Sequence, residues 1–336
     1  MAQTQIYAGK AQVHMIPETA AGDTYIAPAG DGSGIFLAAD VTMSYDSSNY
    51  SPNYVREDYL SHDEIPGPMS GSISFSVPLK GSGTAGTAPE FAVALLGCGM
   101  RQSLTAITSA NYYPISLFDA ATAAGPPATT NPDQSYSVSI LQNAVRHAIK
   151  GAFGNVSISA NVDDIGMLNF TFTGAYVAFA DDGLDVTPVS YDTTTPPAFR
   201  GATFVAHTYA AKGVNTLSLD LGNKISIMKD ANNAAGILGA RIVGRKSTGS
   251  FDCELTLAAT NNYISRQRAG TSGSITTGAI GATAGNKWTL TVARSVLQPI
   301  AVSDRDGIAI QTVPFAVSSN YTDVEGTTPD ITLSFT

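Results

Sequence analysis

Alternation of apolar and polar side chains is the feature that most constrains how this chain of 336 residues can fold. Between residues 72 and 79, Ile73, Phe75 and Val77 alternate with serines. Successive side chains of a strand point to opposite faces, so this segment predicts a strand with one buried face. The same pattern recurs at 39–45, 136–141, 155–160, 168–174, 216–221, 251–257, 287–292 and 308–313. The sequence therefore predicts an all-β, antiparallel fold.

A single short helix is predicted at 88–96. Thr87 and Glu90 have the spacing of a capping box, Pro89 suits the first turn, and Gly97 ends the segment. The expected fold is a β-sandwich with this helix lying on a sheet.

An internal repeat is indicated by three strand pairs that keep both order and phase. Phe251 aligns with Ile73, Leu217 with Val41, and Trp288 with Tyr136. Two unrelated sandwiches of similar composition would also align a few alternating strands, so chance similarity stays the alternative. The Pro-rich segment 191–200 separates the two repeats. We expect two tandem sandwich domains, at 1–197 and 198–336.

Composition argues against several functions. The chain has 18 basic and 27 acidic residues, a net charge of −9, whereas gripping nucleic acid requires clustered Lys and Arg. The same charge suits a wall past which DNA slides without sticking. The two cysteines have no ligand partners at metal-binding spacing, so neither zinc nor a disulfide is predicted. We expect no cofactor, no membrane span or export signal, and synthesis in the cytoplasm.

Motifs that resemble catalytic or ligand sites are better explained by turns. The run 81–86 fits the dinucleotide pattern G-x-G-x-x-G, but no acidic residue or βαβ series follows it. The run 304–307 lacks the remaining ligands of a calcium loop, so a hairpin turn is predicted there. No nucleophile has a base beside it in the sequence, and the chain is predicted not to be an enzyme. A carbohydrate-binding or adhesion role is the alternative function, although only one Trp is present.

The segment 67–91, with the run Leu95-Leu96-Gly97-Cys98-Gly99 after it, resembles tail tube (major tail) proteins of long-tailed phages. In that family an amphipathic strand leads into a Gly-rich turn similar to 81–86 and then a short helix. The second repeat keeps the strand at 251–257, but its sequence predicts neither the Gly-rich turn nor the helix. The close match covers about a third of the first repeat.

The resemblance implies a structural protein of the virion tail. Its inner strands would join those of neighbouring subunits into a barrel, and stacked rings would form the tube that DNA crosses during ejection. Members with one domain form hexameric rings, and members with a duplicated domain form trimers that imitate sixfold symmetry. Trimeric rings are therefore expected, with hexameric rings as the alternative. Expected partners are the tape measure, tail terminator and distal tail proteins.

Two sets of site residues follow from the resemblance and from charge. The long polar segment 46–68 would contact the adjacent ring, although a mobile surface loop is an equal alternative. Its counterpart 228–246 is basic, which would give stacking a polarity. The candidates for contact between rings are Tyr50, Tyr54, Asp58, Tyr59, Asp63, Glu64, Arg241 and Arg245. The candidates for acidic residues in the lumen are Asp163, Asp164, Asp252 and Glu254.

Overall fold

Strands make up most of the structure. The computed structural model describes residues 11–19, 22, 24–28, 34–52, 54, 62–105, 107–114, 134–142, 145–162, 164–181, 191–233, 235–318 and 329–336. The strands in the first half are β1 Ala11–Pro17, β2 Ile35–Phe36, β3 Ala39–Tyr50, β4 Ile65–Pro78, β5 Met100–Thr105, β6 Ser109–Pro114, β7 Tyr136–Gln142, β8 Val145–Asn161 and β9 Met167–Asp181. Those in the second half are β10 Val205–Ala206, β11 Tyr209–Ala210, β12 Thr216–Asp220, β13 Asn223–Lys229, β14 Ile237–Arg245, β15 Thr248–Glu254, β16 Ser272–Thr276, β17 Trp288–Leu297, β18 Ala301–Arg305, β19 Ile308–Val317 and β20 Ile331–Phe335. The helices are α1 Ala92–Gly97 and α2 Tyr263–Arg268.

The predicted all-β antiparallel class is confirmed, and every predicted strand has a counterpart. The alternation in β4 is also confirmed, because Ile73, Phe75 and Val77 are all buried. The strand predicted at 251–257 is too long. β15 ends at Glu254, and Leu257, which is 80% exposed, lies in a turn before α2.

Eight strands form one continuous layer, called here the eight-strand layer. Their order is β3, β4, β9, β8, β12, β15, β19, β18, and every neighbouring pair is antiparallel. β8 pairs with β9 along most of its length, with a register shift between Lys150 and Phe153. On its other side, the amino-terminal part of β8 pairs with β7 and the carboxyl-terminal part pairs with β12.

A second layer covers one side of the eight-strand layer. In the first half it contains β2, β1 and β7. It continues through β10, β16, β17 and β20 of the second half, and β6 and β5 of the first half extend it beyond β20. Phe36 of β2 contacts Phe75 of β4 with ring centroids 5.4 Å apart, and Phe75 stacks on Phe170 of β9 at 5.3 Å. Burying each such ring stabilises the fold by about 1.5–3 kcal/mol, so the apolar face of the layer is fixed towards this core.

The predicted helix exists but is shorter than expected, and the predicted capping box is wrong. α1 begins at Ala92, and its amino end has no side-chain cap. Glu90 instead accepts a hydrogen bond from the backbone N–H of Asp192 and lies 3.9 Å from the ammonium of Lys80. A buried cation competes for this carboxylate, which explains why it does not turn back onto the helix.

A helix in the second half was not predicted, and that expectation is wrong. α2 follows β15 as α1 follows β4. Asn262 caps it by accepting a hydrogen bond from the N–H of Ser265 at 2.9 Å. Among the residues of α2 only Tyr263 is buried, so no apolar period marks this helix in the sequence.

The two halves share one pairing scheme. β4 lies between β3 and β9 as β15 lies between β12 and β19. Leu217 lies opposite Phe251 as Met43 lies opposite Ile73, so Leu217 corresponds to Met43 and not to the expected Val41. The predicted match of Trp288 to Tyr136 is also shifted. Tyr136 lies on β7, which is between β1 and β8, and the strand in the matching position of the second half is β16, between β10 and β17, whereas Trp288 lies on β17. The division into domains at 197 stays a prediction.

The Gly-rich turn 81–86 locks the two halves together. The N–H of Gly81 donates to Oδ1 of Asn286 at 3.0 Å, and the N–H of Gly83 donates to the carbonyl of Gly285 at 3.1 Å. A Cβ on Gly81 would lie 2.0 Å from the carbonyl oxygen of Gly285. Glycine is therefore required because two backbones approach each other directly, not because a phosphate binds.

The Pro-rich segment after residue 190 is anchored to both halves by side-chain contacts. Lys80 donates to the carbonyl of Asp192 at 2.7 Å, and its ammonium lies 3.3 Å from the Asp192 carboxylate. Phe199, which follows the two prolines, is buried and stacks on Trp288.

Candidate assembly surface

A strand pair joins the two halves inside the eight-strand layer, and we call it the internal joint. β12 pairs with β8, with Leu219 opposite Ile158 and Asp220 opposite Ser157. The N–H of Leu221 continues the ladder by donating to the carbonyl of Val156 at 3.0 Å. Val156 is 4% exposed and Leu219 is 3% exposed, so the joint is dry on its apolar side.

The two ends of the eight-strand layer are free edges. In the described part of the chain, β3 pairs only with β4, and β18 pairs only with β19. Tyr45 of β3 is 41% exposed and Val302 of β18 is 55% exposed. A free edge carries unpaired N–H and C=O groups, which makes it a template for another chain.

The solvent side of the eight-strand layer carries small uncharged side chains, and we call it the hydroxyl face. Its members on the central strands are Ser72, Ser74, Ser76, Asn155, Ser157, Ser159, Asn169, Thr171, Thr173, Ser218 and Ser250, with Asp220 beside them. Side chains on neighbouring strands bond to each other, as Ser74 does to Thr171 at 3.1 Å and Ser218 to Ser250 at 2.9 Å. On these central strands the face offers hydrogen bonds and no basic side chain to a passing polyanion, and Arg305 on β18 is paired with Asp252.

The predicted lumen residues separate into two places. Asp252 and Glu254 lie on β15 in phase with Ser250, on the hydroxyl face. Asp164 is exposed in the turn after β8, and Asp163 lies outside the described residues. Asp252 is not a free acid: its Oδ2 accepts from Arg305 at 2.7 Å, and its Oδ1 accepts from the N–H groups of Asn215 and Thr216.

The predicted inter-ring segment 46–68 is partly strand, since β3 runs to Tyr50 and β4 begins at Ile65. Just before β4, Glu64 accepts hydrogen bonds from Asn49 at 3.0 Å and from Ser51 at 3.2 Å. Tyr50 and Tyr54 are more than 60% exposed. Asp63 is also exposed, whereas Asp58 and Tyr59 lie outside the described residues.

The basic counterpart at 228–246 is a hairpin, formed by β13 and β14, that lies against β8 and β9. Arg241 is exposed on β14. Arg245 instead points into the chain, where it donates to Asn223 at 2.7 Å and to the carbonyl of Gly99 at 3.0 Å. Burial lowers the pKa of Arg245 to about 10.

Trp288, the aromatic residue that a sugar site would present, is fully buried in the core. Across the described ranges, no group of three or more His, Cys, Asp or Glu side chains could hold a metal ion. No helix within those ranges is long and apolar enough to cross a membrane.

Of the described site candidates named from the sequence, only Asp252 and Glu254 lie on the hydroxyl face and only Tyr50 lies on the free edge of β3. Alternation marks the serines as polar, but only strand pairing shows that they share one surface. For β18 the available signal is the pair Asp306-Gly307, which forms the predicted hairpin turn with both residues at positive φ.

Comparison with known proteins agrees with this architecture. A family model described as phage tail tube protein matches residues 9–317, which is most of the chain. No curated protein matches.

Proposed function

The chain belongs to the phage tail tube protein family, whose members are structural components of the tail, and on that premise we propose that its protomers close into rings. The rings stack into the tube that DNA crosses during ejection. The observation that carries this proposal is the pair of free edges, β3 and β18, at the two ends of one continuous layer. Closing a ring pairs both edges and removes them from solvent.

Three protomers per ring fit the repeated pairing scheme, which supports two tube domains, 1–197 and 198–336. Each protomer then contributes its eight strands as two four-strand units, so three protomers imitate sixfold symmetry. Barrels of about 16–18 strands already enclose an aqueous channel, so three such layers enclose a wider one.

The hydroxyl face is proposed to line the channel. The opposite face of the eight-strand layer carries the second layer and α1. These elements need more room than the hydroxyl face does, and in a ring the outer side has the larger circumference. A bore of serine, threonine and asparagine would let DNA slide, because it supplies no clustered cations to displace counterions. Asp252 and Glu254 are the proposed acidic residues at β15, where Arg305 balances the charge of Asp252, and Asp163 and Asp164 remain candidates after β8.

We assign the stacking of rings to the segment 46–68, with Tyr50, Tyr54, Asp58, Tyr59, Asp63 and Glu64, and to Arg241 on the facing ring. Arg245 belongs to the same proposed set. Its hydrogen bonds within the chain mean that it mainly positions β14. The tape measure, tail terminator and distal tail proteins would complete the tail.

Electron microscopy of the purified protein tests the proposal. We expect hollow fibres or rings, and ring mass by native mass spectrometry at three times the 34.7 kDa of the chain. A mass six times that of the chain would replace the trimer by a hexamer. Monomers that persist at high concentration would contradict ring formation.

Charge reversal tests the stacking contact separately. Arg241→Glu should shorten tubes while leaving single rings intact, because an exposed arginine contributes little to the fold. Lys224→Glu, at an exposed site on the neighbouring strand β13, is the control. Equal tube length for both variants would remove Arg241 from the contact between rings.

A further inference from the structure

The internal joint shows what this chain uses to pair a free edge. Pairing with β15 matches Leu217 to Phe251, and pairing with β4 matches Met43 to Ile73. Ser218, Leu219 and Asp220 of β12 therefore correspond to Ser44, Tyr45 and Asp46 of β3. β3 is the first-half counterpart of the strand that closes the internal joint.

The other side of the joint has a counterpart as well. Phe172 pairs with Ile73 as Val313 pairs with Phe251, so β9 corresponds to β19. Through the pairs of β8 with β9 and of β18 with β19, Ser157 corresponds to Ser303. The preceding residues, Val156 and Val302, are also identical. β18 thus occupies the position that β8 occupies in the joint.

The residues of the two free edges are more exposed than their counterparts in the internal joint, as expected for strands that lack a partner. Val156 is 4% exposed beneath β12, whereas Val302 is 55% exposed. Leu219 is 3% exposed against β8, whereas Tyr45 is 41% exposed. The free edge β3 therefore resembles the β12 side of the internal joint, and the free edge β18 resembles the β8 side.

We propose that β3 of one protomer pairs antiparallel with β18 of the next protomer, in the register of the internal joint. Asp46 then lies opposite Ser303, Tyr45 opposite Asp304, and Ser44 opposite Arg305. This inference rests on the proposed function, because it assumes that protomers close into a ring.

Backbone geometry supports this register. Arg305 and Ile308 flank a two-residue turn, so they form a hydrogen-bonded pair in which the N–H of Arg305 points towards β19. The N–H groups of Val302 and Asp304 therefore point to the free side. In the internal joint the bond from Leu221 to the Val156 carbonyl gives the matching phase.

Side chains at the proposed pairing are compatible in charge. Asp46 and Arg305 share the hydroxyl face and lie at diagonal positions across the new pair, within reach of a long side chain. In the internal joint the counterpart of Asp46, Asp220, accepts a bond from Asn155 at 2.7 Å across the other diagonal, so a carboxylate at this position bonds across the strand pair there.

Disulfide crosslinking between two introduced cysteines tests the register directly. The Asp46 and Ser303 sites face each other at a position without mutual hydrogen bonds, where Cα atoms lie about 4.5 Å apart, within the range of a disulfide. Mild oxidation of assembled Asp46→Cys/Ser303→Cys protein should give covalent oligomers on a non-reducing denaturing gel. The native thiols are buried, and burial raises the pKa of Cys253 to about 11 and that of Cys98 well above its ordinary value.

The matched control is Asp46→Cys/Asp304→Cys, shifted by one residue. A shift of one residue places the two side chains on opposite faces, so this pair should stay monomeric on the gel. Equal crosslinking of both pairs, or none in the first pair when microscopy shows its tubes, would overturn the register. Wild-type tubes in microscopy would leave the proposed function standing in that case, and their absence would remove it.

Hydrogen exchange on the unmodified protein decides the matter if the cysteine variants fail to assemble. The amides of Val302 and Asp304 should exchange at least tenfold more slowly in tubes than in free protomers. Amides of β5, which pairs only with β6 in the described part of the chain, serve as an internal reference. Unchanged exchange at both β18 amides in tubes would overturn the proposal.

Discussion

Lys80 shows how a single buried charge organises the boundary between the halves. It is 4% exposed, and its ammonium lies between the carboxylates of Asp192 and Glu90. Burial alone would raise the pKa of Asp192, but hydrogen bonds from Thr194 and the charge of Lys80 together hold it below its ordinary value. The cation therefore fixes the Pro-rich segment against the Gly-rich turn.

Replacing this cation should cost stability. Lys80→Met leaves two carboxylates close together without their cation, and we expect a loss of about 2–4 kcal/mol in the free energy of unfolding, measured in urea. Lys229→Met, at an exposed site, is the matched control and should change the value by less than about 0.5 kcal/mol. Equal effects would show that the carboxylates do not need Lys80.

Acid should weaken the same contact. Because the pKa of Asp192 is lower in the folded chain, its contribution is present above the unfolded pKa and disappears as pH falls through the folded value. Unfolding followed from pH 6 down to about pH 2 should show this loss mainly below about pH 4. Asp192→Asn should flatten that part of the curve, whereas Asp46→Asn, at an exposed site, should not.

Sequence reasoning does poorly with single buried polar groups. Glu18 is 3% exposed and accepts four hydrogen bonds, two from Ser135 and Ser137 and two from the N–H groups of Gly22 and Gly151. Its donors are as many as 133 residues away in the chain, so no local motif marks it. Asp252 is similar, since its partner Arg305 comes from β18.

At the scale of elements, alternation predicts well where strands occur but predicts poorly where they end. The core positions of β4 follow from period two alone, because one face must be dry. The end of β15 and the start of α1 cannot be predicted from this period, because contacts with residues distant in the sequence decide where the chain leaves the sheet. Glu90 binds near Lys80 rather than capping α1, and Asn262 caps a helix that has no apolar period.

The contact between the Gly-rich turn and the loop at 281–286 should be intolerant of any side chain. Gly81→Ala places a Cβ 2.0 Å from the carbonyl oxygen of Gly285, which forces the two halves apart. We expect a loss of about 1–3 kcal/mol in thermal or urea unfolding. Gly244→Ala, where a Cβ meets nothing within 4 Å, is the control. A similar small loss in both variants would mean that the loops can separate freely.

A proline on the free edge of β18 should separate assembly from folding. Val302→Pro removes an N–H that points away from β19, so the protomer should keep its melting temperature within a few degrees while tube formation fails. Ser303→Pro removes an inward N–H instead and should destabilise the protomer itself. Tubes of normal length from Val302→Pro, seen by microscopy, would argue that β18 stays unpaired in the ring.

For the whole molecule, the sequence predicts the class, the repetition and the family, but not the continuous layer. The internal joint depends on β8 and β12, which lie more than fifty residues apart and carry no pairing signal of their own. The phase of alternation places Ser157 and Ser218 on a polar face, yet only the joint places them on the same face.

A cation in the proposed bore should convert a passive wall into a binding surface. Thr171→Lys lies on the hydroxyl face, and Ser226→Lys, at an exposed site on the β13–β14 hairpin, is the matched control. Short duplex DNA should co-sediment with Thr171→Lys tubes at about 50 mM salt and be released by about 200 mM, while control and unmodified tubes retain little. Equal retention by the control would indicate that the hydroxyl face is not the bore.

The internal joint has a consequence for how fast a ring can form. Because β8 and β12 are tethered in one chain, that contact closes within the molecule at a high effective concentration instead of by diffusion. A trimer then needs two encounters in solution, where six separate units would need five. Nucleation should accordingly depend less steeply on protein concentration, and small incomplete arcs should be rarer during assembly.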